Sequence, residues 1–417
     1  MAPIVVAGAG AAGLMAAIFA SGAGADVVVI ERTRDGGRKI LISGGGRCNV
    51  LPSRLTPDQY ITASSPNTLR KMLLSWPLPE QRRFFEHELG IALALEAGSG
   101  KLFPRSNRAR DVRDALVSRA RDNGASFRFN TRLADVVPAA ARSGWRVVLD
   151  DGASLDASAV IIATGGLSVP ATGSDGAGLR ILERLGLATN PQYPALTPLT
   201  GTVAAHAQLA GVSLDVTIRA PMRRGSFEAT GGFLFTHRGY SGPAVLNVSH
   251  LAVQSRLAGG TPQPLLVQWT GRGEAAWDDA LRAGGKAQVG TVLRRELPDR
   301  LADQLLVESG VSPQQQLSAL RREERQRLVT LLAVYPLPWS GDEGYRKAEV
   351  TGGGIALGEV DARSFEARSL PGLFVCGEAL DAFGPIGGYN FAWAWATGRS
   401  AGIAAAAQYG RQHQAVP

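Results

Sequence analysis

The chain has 417 residues, 45% of them hydrophobic and 19% charged, with a formal net charge of +8 and only two cysteines. That length buries a large core and suggests two or three domains, whereas Cys48 and Cys376 alone exclude a disulfide scaffold and fit a reducing cytoplasm. No apolar stretch of about 18 residues runs uninterrupted, so the sequence reads as soluble, and because arginine supplies 39 of the 44 cations its high isoelectric point overstates the basic excess.

The first element is the most informative. Ile4 to Ala7 is an apolar run of strand length, Gly8-Ala9-Gly10-Ala11-Ala12-Gly13 is a glycine turn into an Ala-rich helix, and Val27 to Ile30 is a second β-branched run ending at Glu31. This order predicts the βαβ unit of a dinucleotide-binding fold. Gly8 permits the tight turn, Gly10 lets backbone approach a pyrophosphate, and Gly13 lets helix and strand pack closely. The unpaired N–H groups at Ala11 and Ala12 face the phosphates, and Glu31 is expected to accept hydrogen bonds from the adenosine ribose. The segment is no signal peptide, since it lacks a basic start and its glycines break the apolar run.

Arg32, Arg38 and Lys39, followed by Ser43-Gly44-Gly45-Gly46-Arg47-Cys48-Asn49, add two cation-bearing glycine turns behind the fingerprint. They predict a cofactor longer than its adenosine half, wrapped by several loops. Cys48 is a candidate catalytic residue, as a partly ionised thiol or as a proton donor; a small buried residue packing beside the cofactor is the alternative. Residues 101–132 hold nine Lys or Arg against three acids, either a phosphate-tracking surface or a solvated helix face with cofactor contacts. A short strand is expected from Ser126 to Leu133, and further strands at Trp145 to Leu149 and Ala159 to Ala163. The last runs into Thr164-Gly165-Gly166, a sheet-to-glycine junction of the kind that faces the FAD pyrophosphate in two-dinucleotide-binding flavoproteins.

From about Asn190 the composition changes. Residues 191–270 favour short strands at Leu214 to Ile218, Phe233 to Phe235 and Pro264 to Trp269, and residues 271–340 favour helices. The spacing of Leu317, Leu320, Leu328 and Leu331 predicts one buried helix face. His237, between Thr236 and a Gly-Tyr-Ser-Gly-Pro turn, is a candidate proton-exchanging residue, with ordering of that turn as the alternative. His87, His206, His250 and His413 have no partner at metal-ligand spacing, so no metal is expected. Cofactor motifs then return: a strand at Leu373 to Cys376, closed by Gly377-Glu378 with Asp381, and Gly387-Gly388-Tyr389-Asn390 opening a helix at Phe391. That helix N-terminus can stabilise negative charge on a reduced isoalloxazine.

The Ile-Ser-Gly-Gly-Gly-Arg-Cys-Asn loop at 42–49, Phe103-Pro104 with Ser106, Leu234 to His237 with Ser241 to Ala244, Val350 to Gly354 and Gly377 to Asp381 with Gly387 to Asn390 together resemble the YhiN/BaiN-type bacterial flavoproteins, also called aminoacetone-oxidase-like. The resemblance implies non-covalent FAD and a glutathione-reductase-like α/β fold carrying an inserted β-rich plus helical region. It also implies reduction of conjugated or pyrimidine C=C bonds, uridine in ribosomal RNA included, or oxidation of small amines. Cys376, Ala382 to Pro385 and the triple glycine at 352–354 depart from the family pattern.

The expectation is a discontinuous FAD-binding domain (1–190 and 341–417), an inserted β-rich substrate domain (191–270) and a helical subdomain (271–340). The chain is then a cytoplasmic FAD-dependent oxidoreductase reducing an activated C=C bond by hydride transfer from flavin N5, with NAD(P)H as electron donor and a small molecule or RNA as substrate. An amine oxidase using dioxygen and a non-enzymatic flavin-binding redox sensor are the alternatives. The expected cofactor contacts are Gly8, Gly10, Ala11, Ala12, Gly13, Glu31, Arg32, Arg38, Lys39, Ser43, Gly44, Gly45, Gly46, Arg47, Cys48, Leu133, Ala163, Thr164, Gly165, Gly166, Gly377, Glu378, Asp381, Gly388, Tyr389, Asn390 and Phe391.

Overall fold

The computed structural model describes residues 2–139 and 144–414, in two units: residues up to Gln192 with those from Val350 onward, and Tyr193–Glu349 between them. In the first unit, strands Ile4–Ala7, Val27–Ile30, Ser126–Arg128, Ala159–Ile162 and Leu373–Val375 form one parallel sheet. Its order runs from the 373–375 strand through 159–162, 4–7 and 27–30 to 126–128. Four of the strands are almost wholly buried, as parallel strands covered on both faces must be, which is why they read as unbroken apolar runs, whereas the edge strand Ser126–Arg128 leaves Ser126 and Arg128 exposed.

The helix Ala11–Gly22 follows the first strand, and the long helix Tyr389–Gln414 packs against it. Their seam is built from small residues. A Cβ on Gly398 would strike the Ala12 carbonyl oxygen, and one on Gly402 the Ala16 carbonyl oxygen, so the two backbones meet without intervening side chains. The alanines and glycines of both helices are there for this approach, not for helix propensity alone.

The unit also holds two three-stranded antiparallel sheets, one from Leu51–Pro52, Leu93–Glu96 and Lys101–Pro104, the other from Leu133–Pro138, Trp145–Leu149 and Ser154–Ala157. The strand expected from Ser126 to Leu133 is therefore two. The chain turns out of the parallel sheet at Asn130, a non-glycine residue with φ +53° whose N–H donates to the Thr33 carbonyl at 3.1 Å, and Leu133 opens the antiparallel sheet.

The second unit is a seven-stranded sheet in the order 335–336, 266–268, 213–221, 226–236, 239–241, 199–201, 339–342. The helix Pro243–Leu257 and the helices between Glu274 and Ala333 complete the unit. Expected as two subdomains, 191–270 and 271–340 share one apolar core, in which Phe233, Phe235 and Trp269 cluster with Trp277, Leu281, Leu328 and Leu332. A sheet with one face to bury takes the helices as its second layer. The leucine stripe is also split: Leu317 lies in a 3-10 turn and Leu320 beyond it, whereas Leu328 and Leu331 belong to the helix Arg322–Ala333. All four lie in or against the core, but they reach it from two elements.

Candidate functional site

Four glycine-bearing turns of the first unit converge at the carboxyl ends of its parallel strands, where doubly wound sheets bind ligands. Gly8, at φ +106°, is held so close to the opposite turn that a Cβ would come within 2.5 Å of the Ala163 carbonyl oxygen. A Cβ on Gly13 would strike the Gly8 carbonyl oxygen, whereas one on Gly10 would meet nothing within 4 Å. Gly10 also caps its helix with no side-chain bond, and no acid stands in the first turn. Open space before bare helix N–H groups is the seat of an anion.

Glu31 is buried, and its carboxylate accepts from Ala9 N–H at 2.8 Å and from the Thr33 N–H and hydroxyl at 2.7 Å each. These bonds fix the acid and leave it lone-pair capacity for a ribose. The Thr164 backbone faces Gly8, and its hydroxyl is buried against Gly178 with no hydrogen-bond partner among the described residues. Arg32 and Arg132 both reach Asp175 at 2.7 Å. Leu133 lines a depression of about 360 Å3 together with Arg132, Asp150, Arg180 and Arg184. These observations fit an adenine dinucleotide.

Farther along, side chains from distant parts of the chain bond to one another. Lys39 donates to Glu378 at 2.5 Å and to the Ser168 hydroxyl at 2.6 Å; Ser168, Thr351 N–H and the Thr351 hydroxyl all donate to the other Glu378 oxygen, at 2.6, 3.0 and 2.9 Å. Ser168 and Thr351 were not among the expected site residues. Ser168 stands two positions beyond Gly166 and Thr351 opens the triple glycine, but only the fold shows that both serve Glu378.

Asp381, expected at the cofactor, is buried and uses one of its two oxygens as a clamp. Its Oδ2 accepts from Thr62 and Ser64 hydroxyls, from Ala63 and Ser64 N–H groups and from Asn190, at 2.7 to 3.0 Å. Asn390 likewise turns its amide back on Gly384 N–H and carbonyl, both at 2.9 Å, and so shapes the loop that holds Gly387 and Gly388 at φ +113° and +98°. Tyr389 accepts at its hydroxyl from Gln59 and at its carbonyl from Tyr60, and Phe391 stacks on Trp395.

The 43–49 loop is folded back on a wall built from Phe103 and Glu96, neither of them among the expected cofactor contacts. Arg47 lies 4.1 Å above the Phe103 ring and 2.8 Å from Glu96, and Gly44, at φ +56°, packs against the same ring. The Lys101 stem lies along Gly387 from the same strand. Cys48 is fully buried at φ +63°. Burial pushes its thiol up to about 12, against a smaller opposing effect of the Ser43 hydroxyl, which favours the protonated thiol over the partly ionised one.

Arg113, counted among the phosphate-tracking cations, is also reassigned. It is buried, pairs with Asp114, and points its Nη1 at the Asp35 and Gly36 carbonyls at 3.3 and 3.5 Å; it holds the turn before Arg38, whose Nε lies 2.9 Å from Asp35. Arg121 stacks over Phe127. His237 lies in the second unit, exposed on the turn between Ser226–Thr236 and Gly239–Ser241. His206 is buried there, with Tyr240, Tyr335 and Glu308 within 2.7, 3.0 and 3.3 Å. The His413 side chain lies outside the described residues. Among the described residues no helix is long and apolar enough to cross a membrane, and no cluster of His, Cys, Asp or Glu is arranged to hold a metal ion.

A parallel sheet with its glycine cradle, ribose acid and converging C-terminal loops defines a Rossmann-type dinucleotide-binding oxidoreductase. Residues 2–404 match the model of the HI0933-like protein Rossmann domain, and the chain belongs to that family. It is 33% identical over 398 residues to a ribosomal RNA dihydrouridine synthase of Escherichia coli, covering 94% of this chain and 95% of that one. It is 31% identical over 412 residues to a 3-dehydro-bile acid delta(4,6)-reductase of Clostridium scindens, covering 97% and 98%. In fold it is similar to 3-ketosteroid delta1-dehydrogenase from Sterolibacterium denitrificans, with a TM-score of 0.53 at 12% identity over 97% of this chain and 99% of that one. The protein is an FAD-dependent oxidoreductase.

Proposed function

We propose that this chain reduces the C5–C6 double bond of uridine in ribosomal RNA, taking its electrons from NAD(P)H. The observation that carries the reading is the 33% identity to a ribosomal RNA dihydrouridine synthase across 94% of the chain, on a site whose residues fit FAD. The chemistry that FAD supplies when bound is hydride transfer from N5 to one carbon of an activated C=C bond.

Gly8, Gly10 and Gly13 would admit the pyrophosphate and Glu31 the adenosine ribose. Lys39 and Glu378, neutralising each other, keep the middle of the site free of net charge, while the N-terminus of the Tyr389–Gln414 helix brings positive potential to one end of it. Lys101, Arg105, Arg108 and Arg110 form no ion pair among the described residues and would take RNA phosphates. The proton for the neighbouring carbon is assigned to His237 or to the protonated thiol of Cys48.

The test is anaerobic reduction of the purified protein with NADPH or NADH, followed by addition of unmodified ribosomal RNA and mass spectrometry for a gain of two hydrogens on uridine. Reoxidation by RNA supports the reading. Reoxidation by a steroid enone alone, or bleaching with an amine followed by peroxide formation in air, overturns it. His237→Ala should lower turnover about 100-fold or more with FAD reduction unchanged if the imidazole is the acid.

A further inference from the structure

The strands Ser213–Pro221 and Ser226–Thr236 form a ribbon in register from Ser213 opposite Leu234 to Pro221 opposite Ser226. Their neighbours cover only part of it: the 266–268 strand pairs with Thr217 to Arg219, and the 239–241 strand with Leu234 to Thr236. Beyond Arg219 and Glu228, which pair at 2.8 Å, the ribbon runs on without a strand on either side. Six consecutive residues at its tip, Pro221 to Ser226, are exposed. Arg223 and Arg224 occupy the apex, Gly225 takes the left-handed conformation at φ +76° that closes the turn, and Met222 is 51% exposed beside them.

Neither apical arginine has an ion pair among the described residues, and no acid follows until Glu228, which Arg219 already neutralises. The tip is nonetheless held. Gln263 donates to the Pro221 carbonyl at 2.8 Å, and Phe227 packs edge-on against His250 at 5.1 Å between ring centres. Leu257, at the end of the helix that carries His250, is 60% exposed. Two adjacent free guanidinium groups flanked by an exposed thioether, on a braced ribbon, make a surface for a polyanion that also offers flat apolar faces.

We propose that the 221–226 hairpin tip is a second RNA-docking element, with Arg223 and Arg224 on successive phosphates and Met222 against an unstacked base or ribose. The inference rests on the RNA reading above and adds to it a contact that the basic segment at 101–132 does not contain. RNA fits better than an acidic peptide because a uridine whose C5–C6 bond is to be reduced must leave its stack, and the strand around it then presents phosphates and base faces together. Guanidinium groups grip phosphate oxygens through paired N–H bonds.

The experiment measures binding of the FAD-loaded full chain to unmodified ribosomal RNA transcript between 50 and 300 mM salt, for wild type, Arg223→Ala/Arg224→Ala, Arg223→Lys/Arg224→Lys and Met222→Ser. The alanine pair should flatten the slope of log K against log salt by about 1.4 to 1.8, two contacts at about 0.7 to 0.9 each, while FAD content and melting temperature stay at wild-type values. The lysine pair should restore the slope, and Met222→Ser should weaken binding at every salt concentration without altering it. A wild type that binds RNA with a steep slope unchanged in the alanine pair overturns the hairpin contact and leaves the RNA reading standing. A wild type that binds no RNA overturns both. Loss of binding to phosphatidylglycerol vesicles in the alanine pair, with RNA binding intact, would reassign the tip to a lipid surface and also overturn it.

Discussion

Each unit buries one polar cluster, Lys39–Ser168–Glu378 in the first and His206–Tyr240–Tyr335 in the second, but the two differ in where their cations go. In the first, charged and hydroxyl groups are drawn inward and bonded to one another: Arg113 is buried, and Lys39 and Glu378 have side chains only 26% and 18% exposed. In the second, most cations either pair with carboxylates on the surface, as Arg219 does with Glu228, or stand free at the hairpin tip. Inward polar networks shape a cavity around a ligand that is already chosen. Free outward cations meet partners one at a time.

The sharpest way to break this contrast is at the glycine cradle. Gly13→Val forces a side chain into the Gly8 carbonyl and should leave insoluble or unfolded protein. Gly10→Val has open space around it and should give a folded chain that has lost its yellow colour, read by absorbance at 450 nm beside an unchanged circular dichroism spectrum. FAD retained by Gly10→Val would mean that the pyrophosphate lies elsewhere.

The next effect belongs to the second unit and to pH. His250 is buried, donating from Nδ1 to the Asn247 carbonyl at 3.0 Å, and burial lowers its pKa to about 4, outweighing that hydrogen bond. The unfolded chain then binds a proton at about pH 6.5 that the folded chain refuses until about pH 4. Stability is full above about 6.5 and falls as pH drops to about 4, by about 3 kcal/mol from the shift itself. Urea unfolding from pH 7 to 4 should show this decline, and His250→Gln should remove most of it.

Smaller again is the Lys39–Glu378 pair. Glu378→Gln leaves an ammonium with a weaker partner in a half-closed site and should cost about 2 kcal/mol, with Lys39→Met/Glu378→Gln recovering part of the loss. Additive costs in the double variant would show that the two groups act separately. Gly402→Ala tests the helix seam and should cost about 1 to 3 kcal/mol, seen as a lower melting temperature with FAD still bound.

Much of the first unit was legible in the sequence because its signals are local. A glycine turn between two β-branched runs carries its own spacing, and Glu31 closes it within one βαβ unit. What escaped is long-range. Nothing near Asp381 announces that its carboxylate will gather Thr62, Ser64 and Asn190, and nothing near Arg113 shows that it supports the turn at Asp35 and Gly36. The basic count at 101–132 treated nine cations as equivalent, although the fold buries Arg113 and stacks Arg121 on Phe127 and Phe129. Four leucines at helical intervals looked continuous because a 3-10 turn and the following helix happen to preserve the phase.

The small-residue seam of Gly398 and Gly402 against Ala12 and Ala16 also sets an order of assembly. The nucleotide-binding half made first cannot close until the residues after Val350 have left the ribosome, a wait of roughly 8 to 30 s at about 5 to 20 residues per second while the intervening unit is synthesised. During that interval the Ala11–Gly22 helix has a bare apolar flank. The second unit has its own core and can fold as it emerges. Closure of that helix flank is therefore a late event in the making of the chain.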